Sequence, residues 1–239
     1  MSSLRDRLDE VRRRVELAAE RAHRVPSEIQ IIAVSKTVAP EVIVEAYRLG
    51  QTEFGENRLQ EFRGKRAFLD AADMTARWHM LGHLQSNKAR PAAELFDIIH
   101  SVDSVKLARL LDRCAGELGR KLPVLLEVNF APSSGRSGFR PDDLDAVAAE
   151  IITFSHLEPQ GLMTVAPLGL NQDELRGVFR AMRGHRDRLV ARYPDSDWRH
   201  LSMGMSNDFE LAIQEGATVV RIGRAIFGER LPLLTELRP

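Results

Sequence analysis

Short apolar runs alternate with longer amphipathic segments along the chain from Pro26 onward. Each amphipathic segment repeats its apolar residues with the period of a helix, as in VKLARLLDRCAGELG, where four leucines and Cys114 share one face. Apolar strands that are separated by helices favour parallel pairing with right-handed crossovers. The eight apolar runs predicted to be strands are residues 28–35, 52–56, 78–82, 97–102, 123–129, 157–165, 198–204 and 217–223.

Eight strand–helix pairs predict an α/β fold, a (β/α)₈ TIM barrel. About 27 residues per unit remain after the leading segment is subtracted, which suits a compact barrel; a doubly wound open sheet is the alternative. Residues 1–25 are predicted to form an additional amphipathic helix beside the barrel. No linker, low-complexity tract or charge block divides the sequence, so residues 1–239 are predicted to be a single domain. The apolar face of the leading helix holds Leu4, Leu8, Val11 and Val15.

The composition excludes several classes of protein. Lys plus Arg and Asp plus Glu each number 34, so the chain lacks the broad positive field that nucleic acid or an anionic membrane requires. No apolar run approaches the roughly 20 residues that cross a bilayer, and no targeting segment is evident. The single cysteine, Cys114, excludes an internal disulfide and a thiolate-rich metal site and agrees with a reducing compartment. We therefore expect a cytoplasmic protein that binds neither nucleic acid nor membrane.

The carboxyl ends of the strands are where a barrel of this type places its functional site. The seventh and eighth strands lead into LSMGMSND and RIGRAIFG, which contain Ser202, Gly204, Gly223 and Arg224. Loops seven and eight, together with the start of a short extra helix, commonly bind a phosphate through backbone N–H groups. These residues predict a phosphate site, although turn and cap chemistry alone also explains them.

Lys36 directly follows the first apolar run, after the small residue Ser35. We expect its amine to lie in the partly desolvated open end of the barrel, where its pKa falls and a neutral, nucleophilic form becomes accessible. Such a lysine condenses with an aldehyde or ketone. Beside a phosphate site it indicates either an aldolase-type barrel or bound pyridoxal 5′-phosphate (PLP), which carries both an aldehyde and a phosphate.

Arg221 helps to choose between these two functions. Alternation in ATVVRIG places Arg221 on the inner face of the last strand, where a guanidinium needs an acceptor. One interpretation is a structural salt bridge with a strand carboxylate such as Glu127. The other is a hydrogen bond to the pyridine nitrogen of PLP, where an arginine keeps the nitrogen unprotonated and weakens the ring as an electron sink.

Six segments of the chain resemble the pyridoxal-phosphate homeostasis protein family. They are IIAVSKTV, FGENRLQEF, WHMLGHLQSNKAR, HSVDS, GLMTVAP and LSMGMSNDFELAIQEGATVVRIGRAIFGER, and they extend in order from about Ile31 to Arg230. The resemblance implies a PLP-binding barrel similar to the amino-terminal domain of alanine racemase. It also implies that PLP is bound covalently, as a Schiff base on Lys36, with Asn57 near the cofactor.

The same resemblance assigns the remaining contacts and the function. Ser202 and the Gly223 turn match the phosphate contacts, in loops that also contain Gly204 and Arg224, and Arg221 matches the arginine at the pyridine nitrogen. The family is regarded as binding and delivering PLP in vitamin B6 homeostasis without established catalytic turnover, so no catalytic residue is expected. The implied partners are PLP and, transiently, PLP-dependent apo-enzymes. We expect a monomer, because no added domain supplies a dimer surface.

Three arginines depart from the family pattern. Arg224 stands where many relatives have a small hydroxyl residue, Arg58 replaces a tyrosine after GEN, and Arg136 replaces the lysine of a K-x-G element. A guanidinium does not form ordinary Schiff bases, so a role in secondary PLP transfer does not carry over to Arg136.

Two enzymatic functions are the alternatives. A PLP-dependent amino-acid racemase needs a second acid/base group, and the only two tyrosines, Tyr47 and Tyr193, are predicted to lie on helices away from the strand ends. His79 or His200 would have to substitute for a tyrosine, and no second domain is expected after the barrel. A cofactor-free Schiff-base aldolase would use Lys36 and the same phosphate loops.

Overall fold

A closed barrel of eight parallel strands, paired in sequence order, forms the centre of the computed structural model. The structure describes residues 2–131, 135 and 137–229. The strands are β1 (Gln30–Val34), β2 (Glu53–Glu56), β3 (Arg77–Met80), β4 (Ile98–Val102), β5 (Leu122–Glu127), β6 (Leu157–Met163), β7 (His200–Ser202) and β8 (Val219–Ile222). The barrel prediction is confirmed and the open-sheet alternative is wrong, because β8 pairs with β1 and closes the sheet, with Arg221 opposite Ile32.

Helices follow the strands around the outside of the barrel, and the predicted leading helix is α1 (Leu4–Arg21). The other α-helices in the described ranges are α2 (Pro40–Arg48), α3 (Leu59–Ala71), α4 (Ala89–Leu95), α5 (Val105–Glu117), α6 (Leu144–Ile151), α7 (Gln172–Arg192), α8 (Phe209–Gln214) and α9 (Arg224–Phe227). None of these helices combines the length and apolar character that a membrane span requires.

Helix α1 packs against α8 and α9, the two helices that follow the last two strands. It begins with a capping box, in which the Ser3 side chain accepts a hydrogen bond from the Asp6 N–H and the Asp6 carboxylate accepts one from the Ser3 N–H. The predicted apolar face, Leu4, Leu8, Val11 and Val15, is buried. Arg7 Nε donates to the Ile226 carbonyl of α9 at 2.6 Å. The leading helix therefore supports the loops in which the phosphate site was predicted.

Strand residues alternate between the outer and inner faces of the barrel. On the outer face, the rings of Phe54 and Trp78 stack at 5.3 Å, and Phe62 of α3 contacts Trp78 at 4.5 Å and Phe96 at 4.9 Å. These aromatic rings fill the layer between the sheet and the helices. Cys114 packs against the same core as a partly buried residue, as its helical pattern predicts.

The inner face carries a polar chain instead of the apolar layers usual in such barrels. Glu53, His79, His100, Ser202 and Arg221 are joined there by hydrogen bonds. His79 and His100 are each 1% exposed and lie inside the barrel. This polar interior determines how Arg221 is held.

Candidate functional site

A cavity of about 800 Å³ opens at the carboxyl end of the barrel. Its wall contains residues at or just after the ends of β1, β2, β3, β6, β7 and β8. A cavity of this volume suits a small organic ligand or cofactor. Five of the seven predicted cofactor-binding residues line it: Lys36, Asn57, Arg221, Gly223 and Arg224.

Lys36 lies two residues beyond the end of β1 and is partly buried in the cavity wall. The preceding Ser35 is buried, its N–H donates to the Gly55 carbonyl at 2.9 Å, and its hydroxyl lies 2.8 Å from Glu56 Oε1. The following Thr37 has a φ of 60°, in the left-handed region that non-glycine residues rarely adopt. The chain therefore leaves the sheet sharply at Lys36, with a fixed residue on either side.

A buried ammonium group, that of Lys65 on α3, joins the two sides of this turn. Lys65 Nζ donates to the Ser35 carbonyl at 2.9 Å, to Glu56 Oε1 at 2.9 Å and to Glu61 Oε1 at 2.7 Å. Glu61 Oε1 also accepts a hydrogen bond from the N–H of Thr37. Burial raises the pKa of Glu56, and the charge of Lys65 counteracts that rise. Lys65 is thus a structural support of the backbone that carries Lys36.

Replacing Lys65 with methionine is expected to lower the free energy of unfolding by about 3 kcal/mol, because it leaves a buried carboxylate and a carbonyl without their shared donor. The measurement is urea unfolding followed by circular dichroism. The matched control is Arg66→Met on the same helix, whose exposed pair with Asp70 is worth less than about 1 kcal/mol. Equal losses for the two variants would contradict this account of Lys65.

Arg221 is buried in β8, and its guanidinium is bonded on two sides. One terminal nitrogen donates to Ser202 Oγ at 2.7 Å, and the other donates to the Thr164 carbonyl at 2.7 Å. The hydrogen-bond acceptors of Arg221 are therefore two neutral groups, and a salt bridge with a strand carboxylate is not its main contact. Burial lowers the pKa of Arg221 to about 10, while the carboxylates of Asp208 and Glu127 favour the charged form. At neutral pH the cavity wall therefore contains a fixed guanidinium.

Ser202 and Gly204, the other two predicted residues, are not among the residues that line the cavity. The Ser202 hydroxyl is fully buried between Arg221 and His100, at 2.7 and 3.0 Å. Gly204 has a φ of 93°, its carbonyl accepts from the Arg221 N–H, and an added Cβ would lie 2.6 Å from the Cβ of Ala212. Ser202 therefore supports Arg221, and Gly204 allows a tight turn that other residues could not adopt.

The cavity wall next to α9 is formed by the loops after β7 and β8. Ser206, Gly223 and Arg224 line it, and the Ala225 N–H donates to Ser206 Oγ at 3.3 Å. Arg224 is exposed, and its guanidinium donates to Asn207 Oδ1 at 3.2 Å. This region offers a hydroxyl, backbone N–H groups at a helix start and a positive charge, which together suit an anion.

Several residues that line the cavity are not among the cofactor contacts predicted from the sequence. Ser206 and Asp208 line the cavity beside the predicted loop residues, and burial raises the pKa of Asp208. The loop after β6, residues 165–170, contributes an apolar side, in which Leu168 is 84% exposed. The signal for this loop was its apolar sequence, VAPLGL, immediately after a predicted strand end.

The residues considered for other roles lie away from the cavity. The hydroxyl of Tyr47 is bonded to Thr75 Oγ1 at 2.9 Å, and that of Tyr193 donates to the Asp145 carbonyl at 3.3 Å. His79 and His200 are likewise not among the lining residues. The Arg58 side chain is exposed, and Arg136 lies outside the described residues.

Comparisons with known proteins agree with this fold. The family described as "Alanine racemase, N-terminal domain" matches residues 7–231. The pyridoxal phosphate homeostasis protein of Aquifex aeolicus (strain VF5) is 40% identical to this chain, over 94% of this chain and 97% of that protein. The pyridoxal phosphate homeostasis protein of Escherichia coli (strain K12) is also 40% identical, over 96% of this chain and 98% of that protein. The structure of PipY from Synechococcus elongatus PCC7942 with PLP bound is 42% identical, has a TM-score of 0.84, and is matched over 95% of this chain and 100% of that one. The chain therefore belongs to the pyridoxal phosphate homeostasis protein family.

Proposed function

We propose that this protein binds PLP in the 800 Å³ cavity as a Schiff base on Lys36 and holds it for intracellular PLP homeostasis and delivery. The observation that carries the proposal is that Lys36 and Arg221 line one cavity, together with the anion-binding groups beside α9. An amine, a fixed guanidinium and an anion site match the aldehyde, the ring nitrogen and the phosphate of PLP. The PLP bound in the PipY structure supports the same assignment.

The residues at the ring end of the cavity fit an unprotonated pyridine nitrogen. Arg221 uses two of its five N–H groups on Ser202 and Thr164, and the others have no acceptor in the described parts of the chain. Arg221 is charged at neutral pH and can only donate, so it favours a nitrogen that carries no proton. When bound, PLP supplies an aldehyde for condensation and a ring that withdraws electrons, more weakly when its nitrogen is unprotonated.

The covalent step requires only Lys36. Its neutral Nζ adds to the aldehyde carbon, a C=N bond forms, and the aldehyde oxygen leaves as one water. Ser206 and the backbone N–H and guanidinium of Arg224 are proposed to hold the phosphate, while Asn57 lines the same cavity as Lys36. Arg224 thereby replaces a neutral hydroxyl contact with a charged one.

Holding PLP, rather than turning over a substrate, is the function that these residues favour. A racemase needs a second acid/base group opposite the lysine, and the hydroxyls of Tyr47 and Tyr193 are bonded elsewhere. The arginine at the ring nitrogen also weakens the stabilisation of a carbanion. We further propose that the protein acts in the cytoplasm as a monomer and passes PLP to apo-enzymes in transient encounters.

The test is the absorption spectrum of the purified protein with and without added PLP. We expect a visible band that saturates at one PLP per chain and that borohydride reduction converts to a stable adduct, located on Lys36 by peptide mass spectrometry. A colourless protein that borohydride traps only with a sugar phosphate would instead indicate an aldolase. Sustained deuterium exchange at the α-carbon of alanine by the PLP-loaded protein would indicate a racemase and overturn the carrier proposal.

A further inference from the structure

A continuous chain of hydrogen bonds crosses the barrel interior from Glu53 to Arg221. Glu53 Oε2 lies 2.6 Å from His79 Nε2, and His79 Nδ1 lies 2.9 Å from His100 Nε2. His100 Nδ1 lies 3.0 Å from Ser202 Oγ, which accepts from Arg221 at 2.7 Å. His79, His100 and Ser202 are at most 1% exposed, whereas the Glu53 side chain is 19% exposed. The chain thus extends from the edge of the barrel interior to the cavity wall.

The chemistry of its two ends fixes the direction of every bond in this chain. Arg221 can only donate, so the Ser202 oxygen accepts from it, and the Ser202 hydroxyl proton is available to an unprotonated His100 Nδ1. An ionised Glu53 can only accept, so His79 Nε2 carries a proton. His79 Nδ1 is then the acceptor of a proton on His100 Nε2. Burial favours neutral rings, and with both rings neutral this arrangement places the proton of each on Nε2.

The electrostatics of the barrel interior agree with two neutral rings. Burial lowers the pKa of both His79 and His100, and for His100 the nearby charge of Arg221 adds to this effect. Burial pushes the pKa of Glu53 upward, but the hydrogen bonds from His79 and Gln30 and the charge of Arg77 oppose that rise, and the pKa lies below its ordinary value. Glu53 is therefore the ionised acceptor that the assignment requires.

We propose that Glu53, His79, His100 and Ser202 form a one-directional relay that positions Arg221 against the ring nitrogen of PLP, with His100 as its central positioning residue. The inference rests on the proposed function, because it assigns a purpose to the orientation of Arg221. Each donor in the relay polarises the next toward the Glu53 carboxylate, so the network holds its guanidinium end in one orientation. Without His100, the Ser202 hydroxyl can rotate away, and Arg221 loses one of its two fixed contacts.

The first experiment tests the relay in the protein without PLP. Long-range proton–nitrogen correlation spectra of ¹⁵N-labelled protein are expected to show both His79 and His100 with the proton on Nε2 at neutral pH. A proton on Nδ1 of either ring would overturn the proposed direction. This result does not depend on PLP binding, so it separates failure of the relay from failure of the proposed function.

The second experiment measures what the relay does to bound PLP. In His100→Leu, PLP labelled with ¹⁵N in its ring is expected to shift toward the protonated nitrogen signal as the pH falls from 8 to 6. The wild-type signal is expected to stay unprotonated over the same range. PLP binding should weaken about tenfold, the equivalent of one charge-assisted hydrogen bond. The titratable groups facing Arg221 (Asp208 and Glu127) and those near the two rings (Arg77, His200, Glu53 and Asp97) are unchanged in this variant.

Two further variants distinguish positioning from general damage to the fold. In His100→Asn, the amide oxygen replaces Nδ1 as the acceptor for Ser202 and should restore most of the unprotonated signal. His156→Gln, a partly exposed histidine outside the relay, should leave both the signal and the affinity unchanged. A folded His100→Leu protein with the wild-type nitrogen signal and affinity would overturn the proposal. If His100→Leu does not fold, a His100→Asn protein that loses the unprotonated signal between pH 8 and pH 6 would overturn the proposal.

Discussion

Replacement of Lys36 by alanine is expected to remove the Schiff-base absorption band of the PLP-loaded protein completely, which leaves only the absorption of the free aldehyde. Of the five lysines in the chain, Lys36 is the one that lines the cavity, so no other lysine amine is placed to condense with the aldehyde. Affinity should fall roughly a hundredfold, or about 2.7 kcal/mol, because only the ring and phosphate contacts remain. Absorption titration and equilibrium dialysis measure the two effects separately.

The controls for this prediction are a lysine away from the cavity and a substitution of Lys36 that keeps its positive charge. Lys106→Ala alters an exposed lysine on α5 and should leave the absorption band unchanged. Lys36→Arg keeps the positive charge but cannot form the imine, so it should bind PLP without the visible band. A Lys36→Ala protein that kept the full band would show that the Schiff base lies elsewhere.

The barrel and the position of its site could be predicted from the sequence because both follow from simple periods. Eight apolar runs separated by helical segments indicate the closed parallel sheet, and residues that follow the strands necessarily gather at one end of it. Lys36 and Arg221 were assigned in this way, and both line the cavity. Their proximity required no knowledge of side-chain packing.

The supports of these two residues could not be predicted, because they depend on contacts across the fold. His100 and Ser202 are 102 residues apart and meet only when the barrel closes. Lys65 resembles a solvated helix residue in the sequence, yet it is buried against Glu56. The available signal was strand alternation: Glu56 comes two residues after Phe54 and therefore lies on the same outer face of the sheet, against the helices. A carboxylate buried there needs a partner.

The same buried histidines predict a steep loss of stability in acid. His79, His100 and His200 all have a pKa below the ordinary value, mainly because of burial, and that of His200 falls to about 4. Because its pKa is lower, each ring binds a proton less readily in the folded protein than in the unfolded chain. Protons therefore favour the unfolded state, and the free energy of unfolding decreases as the pH falls below about 6.5.

His200, with a folded pKa of about 4, should contribute at most about 1.4 kcal/mol of lost stability at pH 5.5 and about 2 kcal/mol at pH 5, and His79 and His100 add to that loss. Burial raises the pKa of Glu56 and Asp208, so these two carboxyl groups bind protons more readily in the folded state and offset part of the loss near the acidic end. Urea unfolding at pH 7, 6, 5.5 and 5 measures the slope. His100→Asn should reduce that slope by one histidine's share, while His83→Gln, at an exposed position, should not change it. A stability that is constant from pH 7 to pH 5 would mean that the rings in the barrel accept protons without unfolding, which the directed relay from Arg221 to Glu53 does not allow.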